Sequence, residues 1–338
     1  MTVVGPFGLS VWDATLDADV QAGLAAVEEG LLSATKSDVP FITDTAKHLL
    51  EAGGKRFRPL LVLLGAQFGD PHAPGVVPAA VVVELTHLAT LYHDDVMDEA
   101  DVRRGVTSAN TRWGNSVAVL TGDFLFSRAS HILADLGPEA VRVQAEAFER
   151  LITGQIMETV GPRDDRDPLD HYLEVIAGKT SSLMAVSGRF GAMMSGAPEA
   201  TVSTLTQYGE RIGAAFQLAD DVLDIASDSH ESGKTPGTDL REGIPTLPVL
   251  HVRRWHAQGP AESADDRRLN ELLDGDLTDD ALHAEALQLL RAHPALAEAR
   301  RDTLRYAEEA RAALAPLPDI PAKRALAGLC DAVVHRAG

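Results

Sequence analysis

Apolar residues recur at the spacing of one helix face along most of this 338-residue chain. Val20, Leu24, Val27 and Leu31 follow the i, i+4, i+7, i+11 rule that places side chains on one side of a helix. The same spacing predicts helices at 41–52, 59–68, 76–99, 116–136, 138–160, 168–195 and 201–227. Alternating strand patterns and Asn-Gly hairpin signals are absent from the sequence. The sequence therefore predicts an all-α fold, a large helical bundle around one core, with a single domain over residues 1–338.

Three segments depart from the helical pattern. Residues 227–248 are rich in Gly, Pro, Ser and charge, which predicts a long, mobile loop. Residues 256–286 are acidic and loosely patterned, which predicts a surface excursion between late helices. The first 14 residues are expected to be flexible.

Charge and cysteine content exclude several classes of protein. The net charge of −20 disfavours binding to nucleic acid or to an anionic membrane surface. One cysteine, Cys330, permits no intrachain disulfide and indicates a reducing compartment. The start of the chain has no signal-peptide pattern, and the longest apolar stretch, GVVPAAVVVEL, is too short to span a bilayer. We therefore expect a soluble, cytoplasmic protein with no integral membrane segment.

Acidic residues cluster at the end of one apolar helix pattern. Glu84, His87, Leu91, Asp94 and Asp98 are spaced by three or four residues, so they share one helix face. Asp94 and Asp98 are one turn apart, about 6 Å along the axis. Such a cluster is either a solvated helix end or a pair of carboxylates that share metal ions.

A second acidic cluster favours the metal interpretation. Gln217, Asp220, Asp221 and Asp224 again lie on one face of a helix with an apolar side. Carboxylates that face a shared cavity cannot all stay ionised without counter-charge. Oxygen ligands select a hard cation, and Mg²⁺ is the usual one when substrate phosphates complete its shell.

Five motifs occur in an order that resembles a known family. They are GGKRFRP at 53–59, HDDVMDEADVRRG at 93–105, GKTSSLM at 178–184, FQLADDVLD at 216–224 and GKTPGTDLREG at 233–243. Together they resemble the trans-isoprenyl diphosphate synthases, or polyprenyl synthetases, over roughly residues 40–255. The resemblance implies an all-α bundle around a central active-site cavity, usually in a homodimer.

The resemblance also implies a reaction. These enzymes are Mg²⁺-dependent transferases of prenyl groups that join isopentenyl diphosphate to an allylic diphosphate head to tail and release pyrophosphate. Ionisation of the allylic C–O bond requires stabilisation of the departing diphosphate, which metal ions held by carboxylates supply. No protein nucleophile is required.

The matching motif positions suggest roles for individual residues. Asp94 and Asp98 match metal ligands of the first cluster, with Asp95 in an outer shell. Asp220 matches the ligand of the second cluster, supported by Asp221 and Asp224. The isopentenyl diphosphate pocket is implied to contain Lys55, Arg58, His87 and Arg104. The positions that hold the allylic diphosphate or the forming cation are Arg103, Lys179, Thr180, Gln217 and Lys234. Asp123 and Gln155 match positions expected to hold structural hydrogen bonds.

Two positions depart from the family pattern. Ile244 stands where many relatives have a lysine, so one cation near the phosphates is missing, and Arg241 is a candidate to compensate for it. Thr107 replaces a proline after the paired arginines. Neither change removes a predicted metal ligand.

Small residues before the first acidic cluster predict a long product. Ala89 and Thr90 stand where bulky aromatic residues block the tunnel in short-chain relatives. On the facing helix Ser130 is small, and Ile132 and Leu133 lie further down, where a floor could form. A tunnel lined by small and aliphatic residues can shelter an extended apolar chain, so we expect a product beyond geranylgeranyl diphosphate.

Three alternatives remain at this stage. A short-chain synthase that makes farnesyl or geranylgeranyl diphosphate has the same motifs. A terpene cyclase also uses an aspartate-rich helix, but cyclases usually lack the second cluster and have aromatic cavities, whereas this chain is 5% aromatic. A non-catalytic subunit of a heteromeric synthase typically loses the acids or the basic pocket, which are both present here.

Overall fold

The computed structural model describes residues 13–163, 165–227, 236–259 and 263–337, and the described chain is almost entirely helical. In chain order the helices are α1 Ala14–Ala34, α2 Pro40–Glu51, α3 Phe57–Ala66, α4 Val76–Met97, α5 Ala109–Trp113, α6 Asn115–Leu136, α7 Pro138–Val160, α8 Pro168–Ile176, α9 Ser182–Met194, α10 Glu199–Ala226, α11 Thr238–Arg241, α12 Leu247–Gln258, α13 Ala264–Leu273, α14 Asp280–Ala292, α15 Pro294–Ala313 and α16 Pro321–Ala337. The helices predicted from apolar spacing are present, and most of their boundaries agree within two residues.

The chain divides into two compact units. Unit 1 comprises Met1–Arg150, Ser182–Gly209 and Ala313–Leu326. Unit 2 comprises Leu151–Ser181, Glu210–Ala312 and Ala327–Gly338. The first acidic cluster belongs to unit 1 and the second to unit 2. The single domain over the whole chain remains a prediction.

Helix α4 forms the centre of unit 1. It packs against α1, α3, α6 and α9. Its residues are buried over most of its length, with Glu84 and Asp95 among them. A helix of this length that is apolar on nearly all sides belongs in a core. Its two buried acids lie apart, with Glu84 in the first half of the helix and Asp95 in the last turn, beside Asp94.

Helices α3 and α9 approach each other closely in unit 1. A Cβ atom added at Gly191 would lie 2.2 Å from the carbonyl oxygen of Val62, and one added at Gly65 would lie 3.1 Å from that of Gly188. Glycine at these positions lets the two backbones meet. This contact fixes α3, whose first turn carries Arg58.

A short β-hairpin follows α4, where no strand was expected. Strand β1, Val102–Arg103, pairs antiparallel with β2, Val106–Thr107. Arg104 and Gly105 form its turn and have φ angles of 54° and 78°. Two consecutive positive φ angles are typical of a tight hairpin turn. Two-residue strands are too short to show alternation in a sequence.

The helix predicted at 168–195 is interrupted. A π-helical turn, Ala177–Ser181, separates α8 from α9 and contains the GKT motif. A Cβ at Gly154 would lie 2.6 Å from the amide nitrogen of Lys179, so α7 packs directly against this turn. A π-turn widens the helix locally and often marks a functional site.

The segment predicted as a surface excursion, 256–286, is more ordered than expected. Helix α13 and the start of α14 lie within it, and both have a buried face that includes Leu269, Leu272 and Ala286. The loop predicted at 227–248 contains the short helix α11 and the start of α12. Most of the first 14 residues and positions 228–235 lie outside the described residues.

By length and composition alone, α4 could cross a membrane. However, 67% of its apolar stretch is buried inside the protein, as in the core helix of a soluble protein. The run GVVPAAVVVEL alone is too short to span a bilayer, whereas the whole of α4, Val76–Met97, is long enough because its apolar residues continue beyond that run.

Candidate active site

A buried ion pair organises the basic side of unit 1. The Arg56 guanidinium donates hydrogen bonds to both carboxylate oxygens of Glu28 and, at 3.0 Å, to the buried carboxylate of Glu84. Burial alone would lower the pKa of Arg56, but the hydrogen bonds to Glu28 and the charge of Glu84 outweigh it and raise the pKa. Arg56 has a φ of 50° and precedes α3, so this pair fixes the start of that helix.

Two further arginines surround Glu84. Burial, with repulsion from Arg104, lowers the pKa of Arg58 to about 10 although Glu84 acts in the opposite direction. Within the described ranges, the buried Nε of Arg58 has no hydrogen-bond partner. The Arg104 guanidinium donates to the carbonyl oxygens of Leu49, at 2.9 Å, and Gly53. Burial also lowers the pKa of Arg104.

The histidine of this region is neutral. Burial, and then the charges of Arg58, Arg104, Arg56 and Arg103, hold the pKa of His87 well below its usual range. We call Arg56, Arg58, His87 and Arg104 the basic pocket. Three arginines stand here around the buried carboxylate of Glu84, and an anion that enters relieves both repulsion and desolvation. Lys55, which precedes Arg56, is exposed.

The first acidic cluster is partly paired. Arg103 Nε donates to Asp95 Oδ1 at 2.5 Å, and Arg103 Nη2 lies 3.6 Å from Asp98 Oδ2. Burial raises the pKa of Asp95 despite the neighbouring arginine. Asp94 is half-buried on the last turn of α4, and Asp98 is exposed at its C-cap. Asp95 therefore orients Arg103, while Asp94 and Asp98 lie nearer to solvent.

Like the first cluster, the second cluster contains one buried aspartate and two that are less buried. Asp221 is buried, and its carboxylate accepts hydrogen bonds from the Tyr172 hydroxyl, the Leu247 amide at 3.1 Å and Gln217 Nε2 at 3.1 Å. Burial raises the pKa of Asp221 to about 7, although these hydrogen bonds act to lower it. Asp220 and Asp224 are half-buried. Asp224 Oδ1 accepts the Thr238 amide at 3.2 Å.

The π-turn joins this network in unit 2. Thr180 Oγ1 lies 3.3 Å from Gln217 Oε1, so Gln217 connects Thr180 to Asp221. Lys179 Nζ forms an ion pair with Glu158 Oε2 at 2.5 Å. The second acidic cluster therefore lies close to three of the predicted residues, Lys179, Thr180 and Gln217.

The carboxylates of the two acidic clusters fit a divalent metal ion whose remaining ligands come from a bound substrate. Across residues 13–163, 165–227, 236–259 and 263–337, no three or more His, Cys, Asp or Glu side chains gather into a group that could hold a metal alone. Each cluster instead offers two half-buried or exposed carboxylates one helical turn apart. Mg²⁺ is commonly bound by one or two carboxylates, with waters and substrate phosphates as the remaining ligands.

The other predicted residues are placed as follows. Lys234 lies outside the described residues. Ala89 and Thr90 are buried, whereas Ser130 is exposed on α6. Asp123 lies 3.4 Å from His93, and Gln155 donates to Glu158 at 3.1 Å.

The two departures from the family pattern have structural contexts. Ile244 is 46% exposed. Arg241 is held by Asp280 of α14 at 2.9 Å and by the carbonyl oxygen of Thr278, just before that helix, at 3.0 Å, so its guanidinium already has partners within the protein. Thr107 lies in strand β2, and its carbonyl oxygen contacts His48 Nε2 at 2.6 Å.

Four residues of this arrangement were not predicted as site residues. They are Arg56, Glu84, Tyr172 and Glu158. Arg56 lies inside the GGKRFRP motif, and Glu84 shares the face of His87 and Asp94, so both had a signal. Tyr172 and Glu158 contact Asp221 and Lys179 across 49 and 21 residues of sequence, which no local pattern reveals.

These observations define a class of protein: an all-α enzyme with a basic anion pocket and two aspartate-rich helices suited to divalent metal and diphosphate. Comparison with known proteins agrees with this class. Residues 39–290 match the model of the polyprenyl synthetase family. A nonaprenyl diphosphate synthase from Mycobacterium tuberculosis is 50% identical over 332 residues, which cover 98% of this chain and 97% of the relative.

Solved structures give the same result. A geranylgeranyl pyrophosphate synthase from Corynebacterium glutamicum, complexed with calcium and isoprenyl diphosphate, has a TM-score of 0.86 and 45% identity, covering 96% of this chain and 98% of that one. A decaprenyl diphosphate synthase from Rhodobacter capsulatus has a TM-score of 0.84 and 36% identity, covering 96% and 99%. The chain belongs to the polyprenyl synthetase family; it is a trans-prenyltransferase with the all-α isoprenoid synthase fold.

Proposed function

We propose that this protein is a long-chain polyprenyl diphosphate synthase that joins isopentenyl diphosphate units, head to tail, to an allylic diphosphate with release of pyrophosphate. The observation that carries the proposal is the basic pocket. Arg58 is a half-buried cation whose buried Nε has no hydrogen-bond partner in the described part of the chain, beside Arg104 and a neutral His87. A diphosphate supplies the anionic oxygens that such a group lacks.

In this proposal the basic pocket binds the diphosphate of isopentenyl diphosphate. Arg58 and Arg104 supply charge, and His87 donates one N–H from its neutral ring. Lys55 adds a cation at the exposed edge. Arg56 positions the other pocket residues through its ion pair with Glu84 and makes no substrate contact. Because these contacts are present in both ground and transition states, they contribute mainly to substrate affinity.

The carboxylates of both clusters bind Mg²⁺. We assign metal contact to Asp94, Asp98, Asp220 and Asp224, which are half-buried or exposed. Asp221 already accepts three hydrogen bonds, so we now assign it the positioning of Gln217 in place of metal contact. When bound, Mg²⁺ neutralises the charge that develops on the departing allylic diphosphate.

The remaining polar residues act on the allylic substrate. Arg103, oriented by Asp95, and Lys179 and Lys234 provide cations for its diphosphate. Lys179 is paired with Glu158, and the pair is expected to separate as the lysine turns to a phosphate. Thr180 and Gln217 present uncharged oxygens toward the forming allylic cation and keep their orientation through Asp221 and Tyr172.

An open pocket in unit 1 supports a long product. It has a volume of about 760 Å³. Its lining includes the apolar residues Val77, Val81 and Ile132 and the polar residues Arg128, His131 and Asp135. Val81 stands 13 residues before Asp94, so this space lies about 20 Å from the first cluster along α4. Space at that distance from the first cluster favours a product whose prenyl chain extends beyond Ala89. The alternative, a geranylgeranyl product, is favoured by the similarity to the C. glutamicum enzyme.

A homodimer in the cytoplasm completes the proposal. Helix α7 exposes Ile152, Ile156 and Val160 at a spacing of four residues, and Val160 is 76% exposed. Helix α6 exposes Leu120 at 66%. A second copy of the chain is the proposed cover for these apolar faces. Light scattering on the eluted protein should give twice the chain mass, and Ile156→Arg should lower it.

The test is incorporation of labelled isopentenyl diphosphate into an allylic starter. We expect product with Mg²⁺ and none with a chelator. Asp94→Ala and Asp220→Ala should each lower turnover by several orders of magnitude, because each removes charge stabilisation worth several kcal/mol. Asp44→Asn, an exposed carboxylate on α2, is the matched control and should stay active. Near-normal turnover in either folded alanine variant would contradict the assignment.

A further inference from the structure

Helix α14 lies outside the five motifs, yet it holds the end of α10 and the turn before α11. Arg291 donates to the carbonyl oxygens of Ile225, at 2.7 Å, and Ser227, at 2.6 Å, which end α10. His283 Nε2 lies 2.8 Å from the carbonyl oxygen of Gly237, at the start of α11. Helix α14 thus contacts the backbone in two places: at the end of α10, just after the second acidic cluster, and at Gly237, just before α11.

The partners of His283 select one tautomer of its ring. Its Nδ1 lies 3.2 Å from Nη2 of Arg241, a group that can only donate, so Nδ1 accepts. Nε2 therefore carries the hydrogen and donates to the Gly237 carbonyl. Arg241 is itself fixed by Asp280 at 2.9 Å and the Thr278 carbonyl at 3.0 Å. His283 is buried, and both ring nitrogens are used.

Gly237 transmits this contact to Asp224. Its φ is 69°, and a Cβ there would lie 2.8 Å from His283 Nε2, so the ring packs directly on the glycine. The Gly237 amide donates to the Asp224 carbonyl oxygen at 2.8 Å, and the Thr238 amide donates to Asp224 Oδ1 at 3.2 Å. The orientation of the Asp224 carboxylate therefore depends on a turn that His283 holds.

We infer that His283 is a positioning residue for the metal-binding carboxylate Asp224. The inference rests on the proposed function of the second cluster. A carboxylate whose orientation is set before the metal arrives loses less freedom on binding it, and loss of a hydrogen bond to a metal ligand, here the one from the Thr238 amide, typically lowers metal affinity about 10- to 100-fold. His283 acts through Gly237 and Thr238 and does not touch the metal or substrate.

The test compares two substitutions at His283 with the same two at a control histidine. His283→Leu removes the donor and the acceptor, whereas His283→Gln keeps one of each. His251 is similarly buried in unit 2 but contacts Asp302 at 2.9 Å, away from this turn. His251→Leu and His251→Gln therefore show how much stability is lost when a buried histidine away from this turn is replaced.

Two measurements, the half-activating Mg²⁺ concentration and hydrogen exchange at residues 236–242, distinguish a positioning role of His283 from a general loss of stability. We expect His283→Leu to raise the half-activating Mg²⁺ concentration at least about 10-fold, with little change in the KM for isopentenyl diphosphate, and His283→Gln to restore most of it. Hydrogen exchange at residues 236–242, measured without metal, should accelerate in His283→Leu and not in His251→Leu. The His251 variants should lower the melting temperature without moving either readout.

The inference fails if His283→Leu leaves both readouts unchanged, or if His251→Leu moves them equally. Failure of the proposed function gives a different result. In that case the wild-type protein shows no Mg²⁺-dependent incorporation, and exchange at 236–242 alone decides whether His283 holds the turn. Unchanged exchange in His283→Leu would then overturn the positioning role.

Discussion

The Tyr172 hydroxyl donates a hydrogen bond to the buried carboxylate of Asp221, and the two side chains come from α8 and α10. Burial, and then the charge of Asp221, raise the pKa of Tyr172 well above its usual range, so the phenol keeps its proton. Gln217 contacts the same carboxylate and also Thr180 of the π-turn. This pair therefore supports the uncharged residues proposed to face the allylic cation.

Removal of the Tyr172 hydroxyl should destabilise the protein. Tyr172→Phe leaves the ring in place but takes one donor from a buried carboxylate, which costs about 1.5–3 kcal/mol. Denaturant unfolding measures this loss, and Tyr306→Phe, on α15, is a matched control. A change below about 0.5 kcal/mol would show that the hydroxyl does not support Asp221.

The two lysines should give different kinetic signatures. Lys55→Ala should mainly raise the KM for isopentenyl diphosphate, because a phosphate-anchoring cation contributes largely uniform binding. Lys179→Ala should instead lower kcat, because this lysine is proposed to act on the departing diphosphate. Lys36→Ala, an exposed lysine of unit 1, should change neither. The same signature in both variants would contradict the division into two substrate positions.

Bulky residues along α4 and α6 should shorten the product. Ala89 is fully buried, and a Cβ at Gly122 of α6 would lie 3.1 Å from its carbonyl oxygen, so the two helices are close here. We expect Ala89→Phe to give the shortest products and Ile132→Trp, at the open pocket, to give intermediate ones. Val119→Trp, on the exposed part of α6, is the control.

This length series requires folded protein, because extra volume in a packed core costs about 1–3 kcal/mol. Circular dichroism melts identify variants that are folded at the assay temperature. If folded Ala89→Phe and Ile132→Trp make products of wild-type length, this face of α4 and α6 does not limit chain growth.

Acid should weaken the fold through His293. Its Nδ1 accepts the Ala295 amide at 3.0 Å at the start of α15, which requires an unprotonated Nδ1. Burial lowers the pKa of His293, and His256 acts in the same direction, while Asp266 and Glu298 oppose them. The folded-state pKa lies below the unfolded one, so the stability contributed by neutral His293 is present above the unfolded pKa and is lost as pH falls through the folded pKa.

His293→Asn tests this contribution, because asparagine keeps an acceptor for the Ala295 amide and does not titrate. We expect the free energy of unfolding of the wild type to fall more than that of the variant as the pH is lowered from neutral to below the folded-state pKa of His293. Parallel curves for the two proteins would show that another group causes the acid sensitivity.

Long, periodic elements of this protein can be predicted from sequence, and single contacts cannot. Helix α7 is evident because Ala140, Val143, Ala147 and Leu151 follow the spacing of one helix face. The hairpin at Val102–Thr107 is not, since its strands have two residues each. The π-turn at Lys179 also gives no periodic signal. Asp221 looks equivalent to Asp220 in the sequence, and only its contacts with Tyr172 and Leu247 show a different role.

The size of the product tests the central claim most directly. Purified protein is incubated with Mg²⁺, labelled isopentenyl diphosphate and, in separate reactions, dimethylallyl, geranyl, farnesyl or geranylgeranyl diphosphate, and the products are sized by chromatography. A basic pocket, two metal-binding clusters and an open pocket about 20 Å along α4 from Asp94 predict chains longer than geranylgeranyl from at least one starter. Products that end at farnesyl or geranylgeranyl diphosphate would contradict the long-chain assignment, and no incorporation by folded protein would contradict the proposed reaction.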